Sequence, residues 1–460
     1  MPPKIHLIAI GGAVMHNLAI ALKKKGFMIS GSDDEINEPS YSRLKQNGLL
    51  PEKMGWDSSK INNELDAVIL GMHARKDNPE LLKAKEKGIK IYSFPEYVFE
   101  NSRHKQRVVI AGSHGKTTVT AMIMHVLNQL NKSFDYLVGS SLEGFEDTVK
   151  LSENAPVIII EGDEYPSHCE NNIPKFHLFH HHIGVITGVA WDHFNVFPTF
   201  DDYKKQFQIF ADQTPVSGTL IFSEDDKNAN QIGAQERYCV KNHPYRKHPY
   251  FIKNGSCYLK TPMGDFEMKI FGEHNMKNIS AAMTICRQLG IEDTAFYETI
   301  RSFKGAARRL QKITENSDTV FFHDFAHAPS KLKASCSAVK ELYPKRKLVA
   351  CLELHTFSSL NKNFIKQYHG TFDSADFPLL YFNPETIKHK NLPPLSENEI
   401  MSAIGNKHLK IYTDTLKLKS DLGQISWKEK CLLMMSSGNF GGLDMRELGE
   451  RIIRPYEIQK

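Results

Sequence analysis

Along this 460-residue chain, short runs of apolar and often β-branched residues break at glycines or polar clusters and give way to segments of helical period. Ile5–Ile10, Phe27–Ile29, Ala67–Leu70 and Ile89–Tyr92 predict strands, with helices through Ala19–Leu22 and up to Lys87 between them. Val108–Ile110, Val157–Ile160, Ile183–Val189 and Leu220–Phe222 repeat the pattern, with helix-period segments at Ala121–Leu130 and Phe200–Ala211. Thr319–Phe322, Leu348–Leu352 and Cys431–Met435 repeat it again. Buried strands alternating with helices predict α/β domains on parallel sheets. The polar stretch Glu100–Gln106 reads as a linker, and residues 240–270, rich in Lys, His, Pro and Gly, read as an irregular or hairpin insertion. Three domains are expected, at residues 1–105, 106–312 and 313–460.

Composition narrows the class without naming a function. Hydrophobic content of 41% and charged content of 24% describe an ordinary globular protein. A formal charge of +5 is small for this length and points to neither a nucleic-acid nor a membrane partner. There is no apolar stretch of about 18 residues to span a bilayer. The opening Met-Pro-Pro-Lys runs into a strand without the charged-then-apolar pattern of a signal segment. Seven cysteines, at 169, 239, 257, 286, 336, 351 and 431, stand singly with no Cys-x-x-Cys spacing. Reduced thiols and a cytoplasmic location are the expectation, and a cysteine zinc site is not.

The chemistry concentrates where strands end. After Val108–Ile110 comes Gly112-Ser113-His114-Gly115-Lys116-Thr117-Thr118, then a helix. Strand, glycine turn and helix N-terminus gather backbone N–H groups around an anion, Lys116 would reach outer phosphates and Thr117 would face magnesium. The strict phosphate-loop spacing is not met, since Gly112 lies three residues before Gly115 rather than five. The flanking strand and helix nevertheless read as an ATP site. Val157–Ile160 delivers Glu161-Gly162-Asp163-Glu164, and Ile183–Val189 delivers Trp191-Asp192-His193. Carboxylates at strand C-termini beside a phosphate loop commonly hold magnesium. The first unit offers Gly11-Gly12 and, about 20 residues on, Ser32-Asp33-Asp34. The third glycine of a dinucleotide fingerprint is missing, so the turn is weak evidence for NAD, and a phosphate-bearing ligand of another kind suits the two glycines equally well. His177 and His180-His181-His182 read as a partly exposed strand edge, because consecutive strand residues point to opposite faces and do not converge on one ion. Asn275 and Asn278 share one face of a first helical turn, as caps or as ligand contacts.

Gly112-Ser-His-Gly-Lys-Thr-Thr118, Glu161-x-Asp-Glu164, Asp192-His193, Gly272-x-His-Asn-x-x-Asn278, Arg308-Arg309 and Asp324-x-x-His327 stand in the order seen in Mur ligases, which the chain resembles over essentially its whole length. These are ATP-dependent amide-forming enzymes of peptidoglycan assembly. The resemblance implies three domains: a Rossmann-like N-terminal domain that binds a UDP-sugar without NAD, a central P-loop ATPase domain and a Rossmann-like C-terminal domain. Within the family, Glu164-Tyr165, Asp192–Phe197 with Lys205-Gln206-Phe207, and Ser437–Gly442 most resemble the recycling branch. That branch joins UDP-N-acetylmuramate to the tripeptide L-alanyl-γ-D-glutamyl-meso-diaminopimelate.

The resemblance also implies roles. Lys116 would contact the outer phosphates of ATP, with Gly112, Ser113, His114, Gly115, Thr117 and Thr118 around it, and Thr117, Glu161 and His193 would surround Mg²⁺. Asn275 and Asn278 would contact adenine, Arg309 the γ-phosphate and Asp324 the ribose, while Gly11, Gly12, Ser32 and Asp33 would hold the UDP-sugar. The implied catalytic set is Lys116, Glu161, His193 and Arg309. Four positions depart from the pattern: Gly162 for a common alanine, His16 for a helix glycine, Gln208 where some members carry a carbamylated lysine, and His355 where an arginine is frequent. The implied reaction passes through an acyl phosphate that the acceptor amine attacks. Two other readings stand beside it: the same chemistry with a single L-alanine as acceptor, and a nucleotide- or UDP-sugar-binding module without turnover.

Overall fold

The computed structural model describes residues 1–168, 171–191, 196–306 and 308–453. They form two units: Met1–Ala190 with Asp201–Arg246 and Ser280–Thr299, and Trp191–Phe200 with Lys247–Ile279 and the chain from Ile300 onward.

Among its described residues the first unit carries two large sheets and a short antiparallel pair, Pro166–His168 with Asn171–Pro174. Four parallel strands lie in the order Met28–Ser32, Lys4–Ile8, Ala67–Leu70, Ile91–Ser93. Their buried runs pack under the helices Met15–Lys24 and Pro79–Glu86. The second sheet has seven strands in the order Lys241–Tyr245, Thr219–Ser223, Ile183–Ile186, Gln106–Ala111, Val157–Glu161, Asp135–Leu137, Val149–Lys150. All of its pairings are parallel except the last. Gln106–Ala111 is central, and every residue from Val108 to Ala111 is buried. That is why it reads as an unbroken apolar run. Its C-terminal end opens on the helix Lys116–Gln129.

Two sequence expectations fail in this unit. Glu100–Gln106 is not a free linker: the helix Phe94–Asn101 runs into it, Gln106 already belongs to the strand, and Lys105 is buried with its Nζ 2.5 Å from Asp135 Oδ2. A lysine neutralised by a carboxylate 30 residues away looks like solvent-facing polarity in a linear reading. The histidines do not line a strand edge either. Lys175–Phe179 is a 3₁₀ turn, and His180 is left-handed at φ 46°. His181 is buried, bonded to Thr214 Oγ1 at 2.9 Å and packed on Phe210, so burial lowers its pKa to about 3.

The second unit is built on a six-stranded sheet in the order Gln311–Glu315, Thr319–Asp324, Lys430–Met435, Lys347–Leu354, Phe377–Phe382, Lys410–Tyr412. Only the Gln311–Glu315 edge is antiparallel. The insertion is an antiparallel three-stranded sheet, Tyr250–Lys253, Ser256–Thr261 and Gly264–Met268. The helix Glu273–Gln288 starts earlier than periodicity predicts, so Asn275 and Asn278 lie inside it and neither is a cap. Its polar first turn hides the helical period that Ile279 makes visible. Among the described residues, no helix is long and apolar enough to cross a membrane.

Candidate active site

The glycine turn at the end of the Gln106–Ala111 strand is shaped by contacts only glycine permits. Gly112 has φ +137°, and a Cβ there would lie 2.1 Å from Thr187 Oγ1. Gly115 caps the helix in the left-handed region at φ 79°, leaving the first N–H groups of Lys116–Gln129 directed at the turn. The loop is tied to the neighbouring strand end. Ser113 N–H donates to Gly188 O at 3.0 Å, Ser113 Oγ accepts from Ala190 N–H at 2.9 Å, and the Thr187 hydroxyl donates to Ala111 O at 3.1 Å. Thr187 also bonds His114 O. Sequence reasoning passed over Thr187, which sits inside an apolar run and carries no motif.

The acidic cluster divides its labour. Thr117 Oγ1 lies 2.6 Å from Glu161 Oε1, and Gly139 N–H donates to Glu161 Oε2 at 2.8 Å. Lys116 Nζ lies 2.7 Å from Glu164 Oε2 and 2.5 Å from Gly112 O. Burial acts to lower the Lys116 pKa, but Glu164, Asp163 and Glu161 together raise it above the ordinary lysine value. Asp163 pairs instead with Lys175 at 2.6 Å. The Thr117 hydroxyl and the Glu161 carboxylate are hard oxygen donors of the kind that could hold Mg²⁺. His193, the third expected ligand, lies outside the described residues, as does Asp192.

In the four-stranded sheet, Gly11 N–H donates to Asp33 Oδ2 at 2.7 Å, and Lys60 Nζ donates to Ser32 Oγ at 3.1 Å. Gly11, Ser32 and Asp33 thus converge at adjacent strand ends. Burial raises the Asp33 pKa to about 6, against the Gly11 hydrogen bond and with help from Asp34. His16, where glycine is usual, turns inward: its Nδ1 lies 2.9 Å from Gly12 O and 3.0 Å from Ser40 Oγ.

The second unit holds the remaining candidates. Asn275 Nδ2 donates to Phe271 O at 2.9 Å, and Asn278 Nδ2 lies 3.4 Å from Asn275 Oδ1. Asp324 accepts from Leu310 N–H at 3.2 Å and from Ser335 Oγ. His274, at the start of the same helix, is half-buried; desolvation lowers its pKa while Asp324 opposes the change. Arg308 and Arg309 both stack on Phe325, at 5.2 and 4.8 Å from the ring centre. Arg308 Nη2 donates to Gly438 O at 2.6 Å and Ser436 O at 3.1 Å. Buried Glu353 accepts from Phe440 N–H at 2.8 Å and from Ser436 Oγ, and its other oxygen lies 3.7 Å from His355 Nδ1. Glu353 was not expected as a site residue; only its place at a strand end pointed to it.

Profiles of the Mur ligase family match 4–106 (family, catalytic domain) and 110–286 (middle domain). A UDP-N-acetylmuramate–L-alanine ligase of Caldicellulosiruptor bescii is 31% identical over 389 residues, covering 81% of this chain and 82% of the relative. The chain belongs to the Mur ligase family. Mur ligases are ATP-dependent amide-bond-forming enzymes, and that is the activity of this chain. Among solved structures, the UDP-N-acetylmuramate–alanine ligase of Thermotoga maritima matches with TM-score 0.69 at 20% identity, covering 98% of both chains. A murein peptide ligase of Psychrobacter arcticus matches with TM-score 0.65 at 19% identity, also covering 98% of both. The three-domain α/β architecture of Mur ligases is therefore present.

Proposed function

We propose that this Mur ligase joins the lactyl carboxylate of UDP-N-acetylmuramate to the free amine of an acceptor that begins with L-alanine, and that the acceptor is the tripeptide L-alanyl-γ-D-glutamyl-meso-diaminopimelate. The observation that carries the ligase chemistry is the Lys116–Thr117 turn, with Glu161 on the hydroxyl and Glu164 on the ammonium. The carboxylate attacks the γ-phosphate of ATP, giving an acyl phosphate and ADP. The amine then attacks the acyl carbon and phosphate leaves. Two anions meet in the first step, so Lys116 and the helix N-terminus offset their repulsion, and the family resemblance assigns Arg309 to the γ-phosphate. Bound Mg²⁺, held by Thr117 and Glu161 with His193, would supply further positive charge at the phosphates. Asn275 and Asn278 would take adenine and Asp324 the ribose; Gly11, Gly12, Ser32 and Asp33 would take the UDP-sugar.

The tripeptide rests on the resemblance of Ser437–Gly442 and Glu164-Tyr165 to the recycling branch. Two residues past His355 in the chain, Phe357 is exposed under Lys390 Nζ at 4.2 Å. An exposed aromatic beside a cation suits a peptide with side-chain carboxylates better than a single small amino acid. A second reading, L-alanine alone, is favoured by the name of the Caldicellulosiruptor bescii relative. ADP release with UDP-N-acetylmuramate and Mg-ATP, with tripeptide or L-alanine offered in parallel, decides between them. Turnover with tripeptide alone supports the proposal. Turnover with L-alanine alone replaces it by the second reading, and turnover with neither overturns both.

A further inference from the structure

Beneath the phosphate turn lies a contact that neither the motifs nor the family reading accounts for. The Phe200–Asp212 helix sends Tyr203 into the interior, where it is fully buried. Its hydroxyl donates to Glu164 Oε1 at 3.2 Å, while the other oxygen of the same carboxylate holds Lys116 Nζ at 2.7 Å. Lys116 Nζ reaches back to Gly112 O at 2.5 Å. A continuous line of hydrogen bonds thus runs from a helix, through one carboxylate, to the phosphate-loop lysine. Tyr203 is itself fixed by edge-to-face packing on Phe207 at 5.2 Å, and Phe207 packs on Phe176 at 5.5 Å. Glu164 is 1% exposed, so its charge is tolerated only because both oxygens are bonded.

We propose that Tyr203 is a positioning residue for nucleotide binding, acting through Glu164 to set where Lys116 stands before ATP arrives. The triphosphate must draw the Lys116 ammonium toward itself. A Glu164 free to rotate follows the ammonium and brings its negative charge into the space the phosphates need. With Oε1 anchored by Tyr203, the carboxylate stays behind and the ammonium alone moves forward. The inference rests on Lys116 being the ATP-contacting lysine, as proposed above.

Tyr203→Phe keeps the ring and its packing and removes only the hydroxyl. The expected result is a rise of about tenfold in KM for Mg-ATP, the size of one hydrogen bond to a charged group. KM for UDP-N-acetylmuramate and for the acceptor should stay within about twofold, with an unchanged melting profile by circular dichroism. A double-mutant cycle supplies the second readout. In a Glu164→Gln background, Tyr203→Phe should cost little more, because the charge to be anchored is gone. An unchanged KM for ATP, an equal rise in all three KM values, or additive effects in the cycle would overturn the proposal. Lys116→Ala separates the underlying reading: if it retains ATP turnover, Lys116 is not the phosphate lysine and the failure lies there, not with Tyr203.

Discussion

The phosphate turn and the C-terminal strand ends of the six-stranded sheet are made from similar parts, yet they are finished differently. Around Lys116, partners meet at good distances: Lys116 with Glu164, Thr117 with Glu161, Asp163 with Lys175, and Thr187 with the loop carbonyls. At the ends of Thr319–Asp324 and Lys430–Met435, three buried polar atoms have no hydrogen-bond partner among the described residues: Arg308 Nε, His323 Nε2 and Ser437 Oγ. Arg308 and Leu310, two non-glycine residues beside this edge, are left-handed at φ 56° and 47°. Burial without a partner lowers the His323 pKa to about 4, with Arg308 adding to the shift. In the first region each of these side chains is held by a named hydrogen-bond partner. The second carries unmet hydrogen-bonding capacity among the described residues and two non-glycine residues in the left-handed region.

The comparison breaks most sharply at Gly112. Gly112→Ala places a methyl 2.1 Å from Thr187 Oγ1 at a φ that side chains avoid. ATP-dependent turnover should fall by roughly a hundredfold or more, with a stability loss of about 2–4 kcal/mol. Steady-state ADP release and urea unfolding check both. If turnover survives, the turn does not depend on glycine at this position.

A smaller effect is expected at Glu353. Glu353→Gln keeps the shape but removes the charge that Phe440 N–H, Ser436 Oγ and Arg308 share. KM for the acceptor should rise several-fold, KM for ATP should stay unchanged, and stability should fall by about 1–2 kcal/mol. A shift in KM for ATP instead would erase the distinction between the two regions.

The smallest effect has the opposite sign. Ser437→Ala removes a buried hydroxyl that has no partner among the described residues, and should leave stability unchanged or raise it by up to about 1 kcal/mol. Ser436→Ala, one residue away, removes a hydroxyl bonded to Glu353 and should cost about 1–2 kcal/mol. Chemical denaturation of both variants tests this, and equal losses would show that the C-terminal edge is as fully satisfied as the phosphate turn.

Much of the site was legible without coordinates because its signals are local. A buried parallel strand must be an apolar run, a phosphate turn must place glycine where φ is positive, and the lysine and hydroxyl must follow at the helix start. Residues 107–118 meet all three conditions in one stretch, and Glu161 follows from a strand ending beside it. By itself, then, the amino-acid order determined the α/β class and pointed to the Gly112–Thr118 turn and to Glu161 beside it. It also brought Ser32 and Asp33 into view at the N-terminal strand end. Tertiary structure alone decided the rest, because those roles depend on partners far apart in the chain. It separated three neighbouring acids into Glu161 facing Thr117, Asp163 facing Lys175 and Glu164 facing Lys116. It turned Lys105 from linker polarity into a buried ion pair, and drew in Thr187, Tyr203 and Glu353, which no motif marks. Periodicity reports which face a residue lies on, whereas a hydrogen bond spanning 39 to 87 residues exists only once the sheets have formed.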